Sequence, residues 1–263
     1  MKKTRQLSIA VRLILACMLL LSFSLPLTRQ SAQASATSPT TQTTLIKPQT
    51  PQPAALIQAG NWSDNFDSYA TDSSMHGQGG WKGWQNNPAG TAYTSDDHAI
   101  STPNSVSISA ASDLVHEYAG FTEGEWIYTA WQFIPTDFAG ESYFILLNQY
   151  DDAGSTLNWS VQVDFNGTLN QVVNTGTSGG TLPLIKDAWV ELRVEIDLTH
   201  DTCAFFYDGQ QLYAGTWTAE VSGSGISNIA AVDLFANNAS PIFYDDISLT
   251  PPPIPYYLPI ILR

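Results

Sequence analysis

Residues 189–213 read WVELRVEIDLTHDTCAFFYDGQQLY. Val190, Leu192, Val194, Ile196 and Leu198 are apolar, and the residues between them, Glu191, Arg193, Glu195 and Asp197, are all charged. That period of two is the mark of a β-strand with one buried face. A polar turn at 199–201 leads to a second strand carrying Cys203, Phe205 and Tyr207, and Asp208-Gly209 then supplies the positive-φ chemistry of a tight hairpin turn. The stretch is a long antiparallel hairpin, apolar on one side and charged on the other.

The same alternation predicts strands at 64–69, 91–94, 105–109, 114–118, 126–134, 143–148, 158–165, 229–235 and 242–249, with a Gly-, Trp- and Asn-rich loop at 73–90 and a glycine-rich link at 175–180. No stretch after residue 60 has a convincing helical period. About a dozen short strands are too many for one flat sheet. The expected fold is all-β, a two-sheet antiparallel β-sandwich of the jelly-roll type spanning residues 60–250.

The ends differ in kind. Residues 1–34 place Lys2, Lys3 and Arg5 before an apolar run and close on Ala32-Gln33-Ala34, which reads as a secretory signal peptide. Residues 35–59 are a Thr/Pro/Gln-rich spacer of low complexity, and residues 251–263, PPPIPYYLPIILR, form a Pro-rich apolar tail too short to span a bilayer. The tail resembles short C-terminal tags of exported bacterial proteins, which implies attachment at the cell surface; a disordered end is the other reading open to it. Leu258-Pro259 is similar to part of a sortase signal, but the Thr-Gly and the long hydrophobic segment are missing. The exported chain is therefore expected outside the cell or on its surface, without a transmembrane span. Losing the leader leaves five basic residues against 24 acidic ones, a formal charge near −19, where the full chain has −14. Such a surface repels nucleic acid and favours solubility. Cys203 is then the single cysteine, so the core and not a disulfide must hold the fold.

The hairpin with its Tyr207-Asp208-Gly209 turn, together with Trp126-Ile-Tyr-Thr-Ala-Trp131 before Ile134-Pro135, resembles the laminin-G-like members of the concanavalin A-like lectin/glucanase superfamily. The resemblance covers roughly residues 61–250 and implies lectins, adhesion modules or glycoside hydrolases as relatives. The hydrolases of that superfamily carry a Glu-x-Asp-x-Glu strand, so that paired carboxylates act as nucleophile and general acid. Here Glu195-Ile196-Asp197 is followed by Thr199 on the same face, and one register earlier Arg193 stands between Glu191 and Glu195. The expectation is that the chain is not an enzyme. His76, His98, His116 and His200 lie in four separate segments, no Gly-x-Ser-x-Gly elbow or zinc spacing occurs, and His116 alternates into a strand as a core histidine.

Two further features concern ligands. Asp245 shares a strand face with Phe243, Ile247 and Leu249, and a buried carboxylate needs a partner. Carbohydrate-binding jelly rolls end in a similar strand beside a structural calcium, which implies a Ca2+ site from Asp245 with Asp64 and Asp67 of the first strand; backbone amides are the other partner open to Asp245. Sugar sites pair an aromatic plate with amide and carboxylate groups. Trp84 with Asn86, and Tyr150 and Asp152 with Asn158 and Trp159, form two such loops, although Trp159 also alternates with Val161 and Val163 as a core residue would. The expected function is a secreted or cell-surface, non-catalytic carbohydrate-binding module with a polysaccharide or glycan as partner. A surface adhesion protein without sugar binding and a divergent glycoside hydrolase or polysaccharide lyase are the alternatives.

Overall fold

The computed structural model describes residues 60–253. The leader, the spacer and the tail beyond residue 253 lie outside the described residues. Fifteen strands follow one another: β1 (Trp62–Asp64), β2 (Trp81–Gly83), β3 (Tyr93–Ser95), β4 (Ser105–Ala110), β5 (Asp113–Glu117), β6 (Glu125–Phe133), β7 (Glu141–Gln149), β8 (Asn158–Asn166), β9 (Gln171–Asn174), β10 (Thr181–Pro183), β11 (Trp189–Asp197), β12 (Thr202–Tyr207), β13 (Gln210–Thr216), β14 (Ala231–Asn237) and β15 (Ala239–Thr250). They form two antiparallel sheets. One runs β13-β12-β11-β6-β15-β4-β3 with β1 also on β15, and the other runs β10-β9-β8-β7-β14-β5-β2. The chain is thus the two-sheet sandwich its alternation predicts, and no described helix is long and apolar enough to cross a membrane.

The hairpin β11–β12 lies inside the eight-stranded sheet, with β6 on one side and β13 on the other. Val190, Leu192, Val194 and Ile196 are at most 2% exposed and face Phe144, Leu146, Val161, Val163 and Leu234 of the opposite sheet within one core. Each such side chain contributes about 1.5–3 kcal/mol by leaving water. Asp208 and Gly209 take φ of 49° and 70°, the left-handed pair that matches the twist of a two-residue hairpin. On the solvent side, Arg193 sits 2.9 Å from Glu195 and 3.9 Å from Glu191, with its guanidinium over the ring of Phe206. The row of acids is offset by the cation in its middle.

Local differences have local causes. The first strand ends at Asp64, because the Asp64 carboxylate accepts the Phe66 amide at 2.9 Å and Phe66 turns to a φ of 59°, so 65–69 is a turn. Trp81–Gly83, read from sequence as loop, pairs with β5, and Gln171–Asn174 and Thr181–Pro183 extend the other edge. These strands are three or four residues long, too short to display a period.

Candidate functional site

In β7 and β8 the register decides which residues face outward. Leu146 pairs with Val161, but Leu147 pairs with Trp159, so Ser160 is an extra residue in β8. A bulge of this kind reverses the faces beyond it. Val161 and Val163 stay in the core, while Trp159 joins Leu147 on the outer face of the seven-stranded sheet. The core assignment of Trp159 by simple alternation is corrected for that reason.

The outer face has its own apolar floor, Val115, Ile145, Leu147 and Ala231, all at most 5% exposed. Trp84, Tyr150 and Trp159 lie over one end of it. The rings of Trp84 and Trp159 are 6.2 Å apart and inclined by 20°, and Tyr150 meets Trp84 edge-on at 5.1 Å. The two loops singled out from sequence therefore meet in a single cluster. Their junction is built: the Gln85 amide donates to the Tyr150 hydroxyl at 2.8 Å, and the Tyr150 hydroxyl donates to Asp152 at 3.3 Å. Gln85 and Asn86 hold left-handed φ of 54° and 57°, an unfavourable conformation for non-glycine residues that the packing must support. Gly154 comes so close to the Gln85 side chain that a Cβ there would collide with its amide.

Lys82 of β2 reaches into the same cluster, contacting Glu117 and, at 2.7 Å, Asp152, with its ammonium 5.7 Å from the centre of the Tyr150 ring. Asn86 is exposed beside Trp84. Asn158 is not available as a hydroxyl-binding group: it is 7% exposed, accepts from Asn148 at 2.8 Å and donates to the Gly223 carbonyl. Its amide is consumed in tying β8 to the 223–226 loop.

Along the sheet from the aromatic cluster stand three carboxylates. Asp233 lies between Val115 and Ile145, Asp113 beside Phe235, and Asp164 beside Tyr143, whose ring stacks on Phe235 at 5.8 Å. Asp233 is 3% exposed and Asp164 8%, and an Oδ1 atom of each of the three lacks a hydrogen-bond partner. Burial raises all of them above the ordinary carboxylate range, Asp113 and Asp164 to about 6, and Asp233 further because it also faces Asp113. Asp113 and Asp233 are diagonal neighbours across β5 and β14, and each perturbs the titration of the other. Two neighbouring buried carboxyl groups favour keeping one proton between them over carrying two charges.

The acids expected to hold calcium do not form one donor set. Asp64 accepts from Trp81 Nε1 at 2.8 Å, the Tyr69 hydroxyl at 2.7 Å and the Phe66 amide. Asp67 accepts from the Asn104 amide and Asn65. Asp245, fully buried, accepts the amides of Ile100, Ser101 and Asp246. Each is already satisfied by protein donors, and among the described residues no group of three or more His, Cys, Asp or Glu is placed to hold a metal ion. His116 packs as a core histidine, 7% exposed against Trp62 and Trp81, with desolvation lowering its pKa to about 4.

Sequence reasoning missed Lys82, Glu117, Asp113, Asp233, Asp164, Tyr143 and Phe235. One signal was present. Asp233 in AVDLF and Asp164 in VDF each stand between two core residues, so they face away from the core in strands otherwise apolar enough to be covered on both sides.

No protein-family model matches the sequence, and no curated protein does. Solved structures of similar shape exist. An endo-β-1,4-glucuronan lyase from the fungus Trichoderma reesei is 11% identical, with 72% of this chain and 94% of that one covered at a TM-score of 0.48. Alginate lyase Aly36B is 12% identical over 76% of this chain and all of that one, at 0.47. A sialidase is 8% identical over 75% of this chain, which spans only 19% of it, at 0.49. At these identities and TM-scores the likeness assigns neither family nor activity. Their titles name enzymes, and the expectation that the chain is not an enzyme is corrected: a missing Glu-x-Asp-x-Glu strand sets aside one catalytic arrangement and excludes no other.

Proposed function

We propose that this chain binds a glycan on the outer face of its seven-stranded sheet, with Trp84, Trp159 and Tyr150 as platforms for sugar rings. One observation carries the reading: residues from two distant loops and a bulged strand converge into a half-buried aromatic cluster edged by the polar groups Asp152, Glu117 and Asn86. Pyranose rings have apolar C–H faces and equatorial hydroxyls, and a flat aromatic surface with acceptors at its rim satisfies both. Two of the similarly shaped structures named above are by title lyases of glucuronan and alginate, which agrees with a glycan as partner without indicating its charge. The leader and the tail place the protein, in the same proposal, outside the cell or on its surface; N-terminal sequencing of protein recovered from the medium or the cell envelope tests that part.

The binding test is retention on a panel of insoluble polysaccharides and a soluble glycan array, with Trp84→Ala and Trp159→Ala beside the unchanged protein. Retention on at least one glycan, falling about tenfold or more in either variant while circular dichroism is unchanged, is the expected result; tenfold corresponds to about 1.4 kcal/mol of lost contact. No retention on any glycan by a folded protein refutes the proposal. Bound material is then followed for new reducing ends, which reports whether binding leads to cleavage.

A further inference from the structure

We infer that this face selects glycans free of carboxylate groups, neutral or amino-bearing, and turns away polyuronates. The inference rests on the glycan-binding reading and names the chemical class that the same site takes. Six acids stand on the face or its rim: Asp113, Glu117, Glu141, Asp152, Asp164 and Asp233. Against them is one cation, Lys82, held between Glu117 and Asp152. The two other basic residues among the described ones are elsewhere. Arg193 lies between Glu191 and Glu195 on the opposite sheet, and Lys186 sits over Phe138, donating to the carbonyls of Thr136 and Phe138.

An arriving uronate brings one negative charge per sugar. To be held it needs a free cation or converging N–H donors. Here the only nearby ammonium is neutralised, and the charged groups beside it that are open to solvent, Glu117 and Asp152, are acceptors. An acceptor-rich face is matched by what donates: sugar hydroxyls, or the ammonium of an amino sugar. The Tyr143 hydroxyl and one N–H of the Asn237 amide are already directed at Glu141, at 3.0 and 3.3 Å. The summed field of a surface with this acidic excess also repels polyanions before contact, over a distance set by the salt concentration.

The test uses the full exported chain and paired matrices: cellulose, mannan and galactan, each before and after oxidation of C6 to the carboxylate, with partially deacetylated chitin as the amino-bearing member. At low ionic strength, oxidation of a matrix that retains the protein should cut retention by about tenfold or more, with the deficit closing as sodium chloride is raised to roughly 0.5 M, where charge is screened within a few ångströms. Glu117→Gln with Asp152→Asn releases Lys82 and should narrow the deficit at low salt. Equal or stronger retention on oxidised matrices, or a deficit that salt and the double variant leave unchanged, overturns the charge selection while leaving glycan binding standing. Failure of every matrix in both forms overturns the glycan-binding reading, and this inference with it.

Discussion

Replacing Asp233 by Asn separates the proton-sharing pair from the rest of the fold. Asp113 and Asp233 come from adjacent strands, β5 and β14, and are diagonal neighbours on the outer face beside Val115 and Ile145. Burial raises both, Asp113 from 3.8 to about 6. A raised acid holds its proton in the folded protein at a pH where the unfolded chain has lost it. The stability this contributes is complete below about pH 4 and lost as pH rises through about 6. Two units at about 1.4 kcal/mol each give a loss of about 3 kcal/mol from Asp113 alone. For a domain of this size that is about 6–12 °C in melting temperature. Asp164 and Asp245, both raised to about 6, add to the same fall, so the pair is isolated as the difference between two curves. In Asp233→Asn the amide replaces the protonated carboxyl beside Asp113, and position 233 no longer holds a proton that the unfolded chain has lost. Melting followed by circular dichroism from pH 4 to pH 8 should show the variant equal to or below the unchanged protein at pH 4 and several degrees above it at pH 7.5. Parallel curves across that range would refute the shared proton.

Three further outcomes are expected. Chelation by EDTA should leave the melting temperature unchanged, because Asp64, Asp67 and Asp245 are each satisfied by protein donors; a drop of several degrees would restore a metal to that region. Gly154→Ala, at a φ of 67° and against Gln85, should cost about 1 kcal/mol and weaken glycan retention by displacing the loop under Trp84, which unchanged retention would contradict. Burial pushes the Cys203 thiol up to about 12, so it should be inert to a disulfide reagent at pH 8 until the protein is unfolded, and rapid labelling of the native state would show the strand to be open.

The two sheets differed in how far their sequence could be read. In β11 the buried and solvent positions alternate without interruption, and the charges that compensate one another, Glu191, Arg193 and Glu195, are two residues apart on one strand. The strand and its paired charges could both be taken from that string. On the other sheet the compensating groups come from different strands. Lys82, Glu117 and Asp152 meet from β2, β5 and a loop, and Asp113 meets Asp233 across β5 and β14. Strand order and register bring them together, and neither is written in any one segment. The bulge at Ser160 adds a second concealment, since a single extra residue moves Trp159 from the apparent core to the sheet surface beside Trp84. Trp84, Tyr150 and Asp152 could be singled out as candidates because loops advertise unusual composition. The acids were missed because an Asp between two core residues looks like a local flaw in a strand until its neighbours across the sheet are known. The same division separates the two acidic patterns: the charges of β11 are paired along one strand, whereas the acids of β5, β8 and β14 meet only across strands.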